Sequence, residues 1–254
     1  MSRERPFAIV VFARAPVPGR AKTRLIPVLG RRGAAGLQEA LLEDALHKIR
    51  DFPASRTLYL SGSKIPPQVI FATLELRRQR GRNLGERLEN AFLELLEKHS
   101  GAVVVGTDSP LLSRPRLRLA LNELKASDAV LGPCPDGGFY LIGLRRFSPG
   151  LLKGVRWGSR FAFADTRRRL LAAGLICSKL EPCGDIDRPR DFARIGALLC
   201  QHAQLRRLAP SLWNFCRAWF SAGARRSSSS QKRRQSSRRR ELPRRGRKPL
   251  PGRA

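Results

Sequence analysis

Residues 7–25, FAIVVFARAPVPGRAKTRL, join an apolar run directly to a loop of cations and helix-breaking residues. Phe7 to Ala13 offers no polar face, which suits a central parallel strand covered by helices on both sides. Arg14, Arg20, Lys22 and Arg24 then fall within eleven residues, interleaved with Pro16, Pro18 and Gly19. Those three hold the backbone in an open turn. Ligands of open α/β sheets bind beyond the carboxyl ends of the strands. A loop placed there presents cations and backbone N–H groups to an anion, and phosphate is the natural guest. Composition alone also allows an Arg-rich surface loop. The basic start, MSRER, with the apolar run and Ala13-Arg14-Ala15 behind it, imitates a secretory signal. The apolar run is at the short limit for one, and no exported-domain disulfide pattern follows.

A chain of 254 residues is long enough to bury a substantial core. One α/β domain of about 200 residues with a tail fits it better than two domains. The tail is marked by charge: residues 201–254 hold 16 Lys and Arg against the single acid Glu241, a net +15 of the chain's +30. The five cysteines form no CxxC pair and are odd in number. This argues against a disulfide framework or a zinc site and for a reducing, cytoplasmic setting. No apolar run approaches the roughly 18 residues of a membrane span.

Further along, Leu37, Leu41, Ala45 and Ile49 recur every four residues, so the spacing predicts an amphipathic helix over 34–49. Thr57 to Leu60 and Val69 to Ala72 read as the second and third strands. Alternating strands and helices point to a mostly parallel sheet with right-handed crossovers. Asn83 with Glu86 three residues on reads as a capping box opening the next helix.

Three acidic stretches carry the chemistry. In AVVVGTDSPLL (102–112) a valine run ends at Thr107 and Asp108, which sets a carboxylate at the exposed end of a central strand. Mg²⁺ takes one or two such carboxylates and completes its shell with substrate phosphates, although Asp108 capping the helix after Pro110 would explain the residue as well. In GPCPDGGFYLIG (132–143) Asp136 precedes Gly137 and Gly138. Those glycines permit backbone that brings a ligand close, or equally a hairpin turn. In GDIDRPRDF (184–192) a carboxylate can return to the strand ends beside Asp108. Asp187 is the better candidate, because Asp185 can serve as a cap and Asp191 lies inside the following helix.

The same stretches resemble, in order, the motifs of bacterial glycosyltransferases of the arsenosugar or selenodomain-associated type. APVPGRAKTRL is similar to that family's first motif, and more distantly to the AKSRL-type loop of phospholactate and molybdopterin guanylyltransferases. QRGRNLGERL resembles Gln-x-Gly-x-Asp-Leu-Gly-Glu-Arg-Met, with Asn83 and Leu88 as departures. GTDSP resembles GTDxP, and GPCPDGGFYLIGL resembles GPAxDGGYYLIGL, departing at Cys134, Pro135 and Phe139. VRWGSRFAFADTRRRLLAAG resembles PWGTxxVxxxTxxRxxxxG, and GDIDRPRDF resembles DVDTPEDL. The resemblance implies a nucleotide-diphospho-sugar transferase fold of the GT-A type, a three-layer α/β sandwich over residues 1–200. It implies that Arg14, Pro16, Gly19, Lys22, Arg24 and Thr107 hold a nucleotide's phosphates, and that Gln79 and Gly81 meet its base. Asp108 and Asp187 would bind Mg²⁺ or Mn²⁺. Asp136 would orient a small-molecule acceptor, and Gly137, Gly138 and Trp157 would form the loop and lid over the substrates, although Trp157 also suits ordinary core packing.

Residues 201–224 read as a short amphipathic helical segment, with helix between Pro210 and Ala222, that docks on the domain or touches a membrane surface or partner. Residues 225–254 read as a basic disordered tail able to hold nucleic acid or anionic lipid unspecifically. The expected function is sugar transfer from a nucleoside diphosphate sugar. The enzymatic alternative is nucleotidyl transfer releasing pyrophosphate, and the non-enzymatic one is a binding protein working through its tail.

Overall fold

The computed structural model describes residues 5–62 and 74–221. The chain divides into two compact units, Met1–Phe215 and Cys216–Ala254. The described residues form a seven-stranded sheet in the order β3-β2-β1-β4-β6-β5-β7. Its strands are β1 Phe7–Arg14, β2 Ser55–Ser61, β3 Glu75–Arg78, β4 Gly101–Gly106, β5 Ala129–Pro133, β6 Phe139–Leu144 and β7 Cys177–Lys179. All pairings are parallel except those of β6, which runs against both β4 and β5.

Strand β1 shows why the sheet needs two helical layers. Ile9, Val11 and Ala13 pack with Leu42, Leu46 and Ile49 of helix α1 (Ile26–Ile49) and with Leu117 and Leu124 of helix α3 (Arg114–Ala126). The intervening Ala8 and Val10 pack with Leu88, Phe92 and Leu95 of helix α2 (Leu84–Lys98) and Leu170 of helix α4 (Ala162–Ala172). Successive side chains of a strand point to opposite faces, so a strand apolar throughout must be covered twice. Helix α1 begins earlier than its apolar spacing predicts and breaks at Gly30, whose φ of 69° lies in the left-handed region. It also carries three buried polar residues, Gln38, Asp44 and Lys48. Helix α5 (Pro189–Gln201), helix α6 (Ala203–Leu208) and a helix over 210–221 close the described chain.

The expected third strand at Val69–Ala72 lies outside the described residues; the strand observed there is β3, Glu75–Arg78. Strand β7, three residues long, is too short to carry a periodicity in the sequence. No helix among the described residues is long and apolar enough to cross a membrane.

Candidate active site

The sheet's strand order reverses at β1, which pairs with β2 on one side and β4 on the other. A crevice forms at such a switch point, outside the carboxyl ends of the strands. Here it is a cleft of about 910 Å³, within the usual range for small-molecule sites. Its walls come from the ends of β1 and β4, the 79–88 segment, the loop between β5 and β6, the 157–162 segment and residues 185–190.

The loop after β1 sets two of its cations, Lys22 and Arg24, against carboxylates. Lys22 adopts φ 46°, ψ 46°, a left-handed conformation rare outside glycine. Its ammonium lies 2.8 Å from Asp108 Oδ1 and donates to the Ile186 carbonyl at 2.5 Å. The Lys22 side chain is only 4% exposed, whereas that of Asp108 is 50% exposed. Lysine thus holds the carboxylate from below and leaves its outer face to the cleft. Arg24 pairs with Asp187. Arg14 lines the cleft and donates to the Arg20 carbonyl at 3.1 Å. Pro16 and Gly19 shape the turn and are not among the lining residues.

Asp108 does not cap the next helix. That helix begins at Arg114 with Ser113 as its cap, accepting from the Arg116 N–H at 3.3 Å. Thr107 instead donates to Asp108 Oδ1 at 3.1 Å, and the buried Gln38 amide donates to Thr107 Oγ1 at 3.2 Å and to the Arg14 carbonyl at 3.1 Å. A buried glutamine therefore ties the ends of β1 and β4 together, a role its place in an amphipathic helix did not announce.

The chain from β5 to β6 is an antiparallel hairpin that also lines the cleft, so the turn and the site occupy the same residues. Asp136 Oδ1 accepts from the Gly138 N–H at 2.8 Å. Gly137 has φ 89°, and a Cβ there would come within 2.0 Å of the Arg160 carbonyl oxygen, so only glycine fits. Trp157 lies against Gly85 at the start of α2 and meets Phe139 edge-on with centroids 6.0 Å apart. It both packs and lines the cleft.

The two carboxylates after β7 stand in different surroundings. Asp191, three residues into its helix, caps it by accepting from the Arg188 and Asp187 N–H groups at 2.8 and 3.4 Å. Asp185, read from sequence as the cap, is free of that duty and faces the cleft. Its carboxylate, Asp136 and the Cys134 thiol bring ligand atoms within 4.8 Å of one another. Burial, reinforced by the charges of Asp136 and Asp108, pushes the Asp185 carboxyl up to about 6. Asp187, whose charge is already matched by Arg24, is the less available of the two. The spacing of Asp185 and Asp187 two residues apart could not separate them.

Gln79 lines the cleft, but its amide N–H groups donate to the Ala13 and Tyr59 carbonyls, each at 3.0 Å. Gly81 is not a lining residue; a Cβ there would come within 2.8 Å of Glu86 and Arg87. Asn83 caps α2 as its spacing predicts, accepting from the Glu86 N–H at 3.0 Å.

This arrangement is the three-layer fold of nucleotide-diphospho-sugar transferases. Residues 48–159 match the family of uncharacterized proteins conserved in bacteria designated DUF2064. A protein from Desulfovibrio desulfuricans G20, provisionally described as a nucleotide-diphospho-sugar transferase, is 28% identical with a TM-score of 0.73, covering 84% of this chain and 97% of its own. Two more distant structures share the fold. CMP:2-keto-3-deoxy-manno-octonic acid synthetase complexed with CTP is 13% identical with a TM-score of 0.51, over 77% of this chain and 99% of its own. The 4-diphosphocytidyl-2C-methyl-D-erythritol synthase of Anaerococcus prevotii DSM 20548 is 11% identical with a TM-score of 0.51, over 77% and 98%. No curated protein matches the chain significantly.

Proposed function

We propose that the protein is a divalent-cation-dependent transferase that takes a glycosyl group from a nucleoside diphosphate sugar and passes it to a small-molecule acceptor. The observation that carries this reading is the set of carboxylates Asp108, Asp136 and Asp185, gathered at the switch point of the sheet beside a cationic loop. The likeness to the Desulfovibrio protein supports it along most of both chains.

The donor set suits a hard cation. Three carboxylates supply the oxygen ligands that Mg²⁺ and Mn²⁺ prefer, and the negative charge on Asp185 is otherwise matched by no ion pair among the described residues. Burial holds the Cys134 thiol well above its ordinary value, so the thiol stays protonated and is the poorer ligand. Asp108 and Asp185 would hold the ion, with Asp136 beside them. A bound cation would supply electrostatic stabilisation of charge on the departing phosphate.

The remaining roles fall to this chain's own groups. Lys22 fixes the Asp108 carboxylate and Gln38 fixes Thr107, so the phosphate-facing wall is organised before substrate arrives. Arg14 and Arg24 at the mouth of that wall match the phosphates in charge. Asp136, held by its bond to the Gly138 N–H, faces the acceptor. Trp157 covers the cleft from the opposite side.

A thermal-shift panel of nucleotides and nucleotide sugars with Mn²⁺ identifies the donor, because ligand at about a hundred times its Kd adds about 2.7 kcal/mol of stability. Product analysis then separates the chemistries. Sugar transfer releases a nucleoside diphosphate, whereas nucleotidyl transfer releases pyrophosphate. Pyrophosphate from a triphosphate, with no stabilisation by any nucleotide sugar, would replace this reading with nucleotidyl transfer.

A further inference from the structure

Positive charge in the folded part of this chain is concentrated in one stretch. Residues 145–179 carry nine Lys and Arg against the single acid Asp165, a net +8, whereas residues 1–200 as a whole carry a net +15. All nine cations are exposed and Asp165 is buried.

The fold gathers this stretch into one surface, made by α4, the turn after it and the edge strand β7. The guanidinium groups of Arg156 and Arg160 lie over the Phe161 ring at 3.9 and 4.9 Å. Arg156 and Arg168 both bond Asp165, at 2.8 and 2.9 Å. From α4 the charge of Arg167 reaches the Cys177 thiol on β7, and Lys179 of β7 lies 5.9 Å over the Phe163 ring of α4. Arg146 and the Ile176 N–H share the Asp128 carboxylate. Both acids are thus spent within the surface, and the next exposed acid, Glu181, comes only after β7.

Aliphatic side chains stand among these cations. Leu171, one turn on from Arg167 and Arg168, is 45% exposed. Ile176, just before β7, is 67% exposed, the highest value for a large hydrophobic residue among the described residues. A single exposed leucine is ordinary. Two aliphatic residues ringed by cations fit a membrane interface, where Lys and Arg attract anionic headgroups and apolar side chains enter the acyl boundary. Nucleic acid would use the same charge, but it stacks bases on aromatic rings. The one exposed ring of this stretch, Phe161, is already covered by two guanidinium groups.

We infer that the face formed by α4 and β7 docks on a lipid bilayer with anionic headgroups, Leu171 and Ile176 entering its surface. The face belongs to the folded domain, apart from the basic tail, and its docking is independent of which group the cleft transfers.

The test is co-sedimentation of the full chain with vesicles of phosphatidylcholine and phosphatidylserine in equal amounts, and with vesicles of phosphatidylcholine alone. It is run at about 0.1 M and about 0.5 M salt, the second screening exposed charges such as those of the tail. The variants are Leu171→Ser/Ile176→Ser, Arg167→Gln/Lys179→Gln and a control, Arg118→Gln/Leu119→Ser. The control lies on α3, whose core residues pack on the sheet face opposite to that covered by α4. The tail is the same in all of them, so differences report on the face. Native protein should prefer the anionic vesicles and keep part of its binding at the higher salt. The serine pair should lose that persistent part, the glutamine pair should weaken binding roughly tenfold at the lower salt, and the control should bind as native protein does. Native-like binding by the serine pair at both salts overturns the inference, as does an equal loss in the control or equal binding to neutral vesicles. Weakened binding of a DNA oligonucleotide by the glutamine pair, with vesicle binding unchanged, also overturns it and assigns the face to nucleic acid.

Discussion

Lys48 offers a quantitative test of the interior of this fold. It lies on α1, is 6% exposed, and donates from Nζ to the Pro110 carbonyl at 2.6 Å. Burial lowers its pKa from an ordinary 10.5 to about 8, partly offset by the charges of Asp44 and Cys183. A lysine with a lowered folded pKa is held back by its own charge below that value. Its neutral form contributes stability that is present above the unfolded value and is lost as pH falls through the folded one. The window therefore runs from about pH 10.5 down to about pH 8. At about 1.4 kcal/mol for each pH unit between the two values, the swing is about 3 kcal/mol. Cysteines and tyrosines titrate over part of the same range in the opposite sense, since burial raises Cys134, Cys183 and Tyr140. The measurement must accordingly be a difference. Urea unfolding of the native protein and of Lys48→Met at pH 7.5, 8.5, 9.5 and 10.5 cancels the shared groups. The native protein should gain about 3 kcal/mol on the variant across the series. Parallel curves would mean that Lys48 is hydrated in the folded state and that the reasoning is wrong.

Four further outcomes are expected. Asp44→Ala should cost about 2–4 kcal/mol in chemical unfolding, because the carboxylate accepts the Ser211 and Leu212 N–H groups at 2.9 and 3.0 Å at the start of the last helix; a loss under 1 kcal/mol would refute that role. Asp108→Asn should abolish Mn²⁺-dependent nucleotide binding with the melting temperature little changed, as the residue is half-exposed at a strand end. Calorimetry with and without Mn²⁺ checks this, and unchanged affinity would remove Asp108 from the site. Gly137→Ala should lose nucleotide-sugar turnover through displacement of the 157–162 segment, since the added methyl meets the Arg160 carbonyl; native turnover would show that the two segments need not touch. Deleting residues 223–254 should leave catalysis intact while removing most salt-sensitive binding to nucleic acid or anionic vesicles, and lost turnover would place the tail in the site.

The central strands and long helices were legible because both faces of β1 and the four-residue spacing of α1 are apolar signals that burial imposes directly. The positions of Asp108 and Asp136 were legible as well, since a carboxylate following a valine run stands at a strand end and one before two glycines stands at a turn. What escaped was decided by partners distant in sequence. Asp185 and Asp187 differ in surroundings because Asp191 takes the cap and Arg24 reaches across from the first loop. Lys22 reads as a phosphate ligand by composition, yet it turns inward to Asp108 because its backbone adopts the left-handed region. Gln79, a base contact by the resemblance, also gives its amide N–H groups to two strand carbonyls, which no local pattern announces.

Strand β6 runs against its neighbours, and that reversal governs where motion is available in the cleft. Because β6 descends where β5 ascends, Asp136 stands on a five-residue link between two strands already laced together by a ladder. Swinging that link would cost ladder bonds between two strands that are both paired on either side. The 157–162 segment, by contrast, meets this wall through side-chain packing, and the backbone bond beside it, from the Phe163 N–H to the Gly137 carbonyl at 3.0 Å, belongs to the first turn of α4. Any opening of the cleft to admit or release substrate would thus proceed by lifting Trp157 and its neighbours, with the acidic wall acting as the fixed jaw.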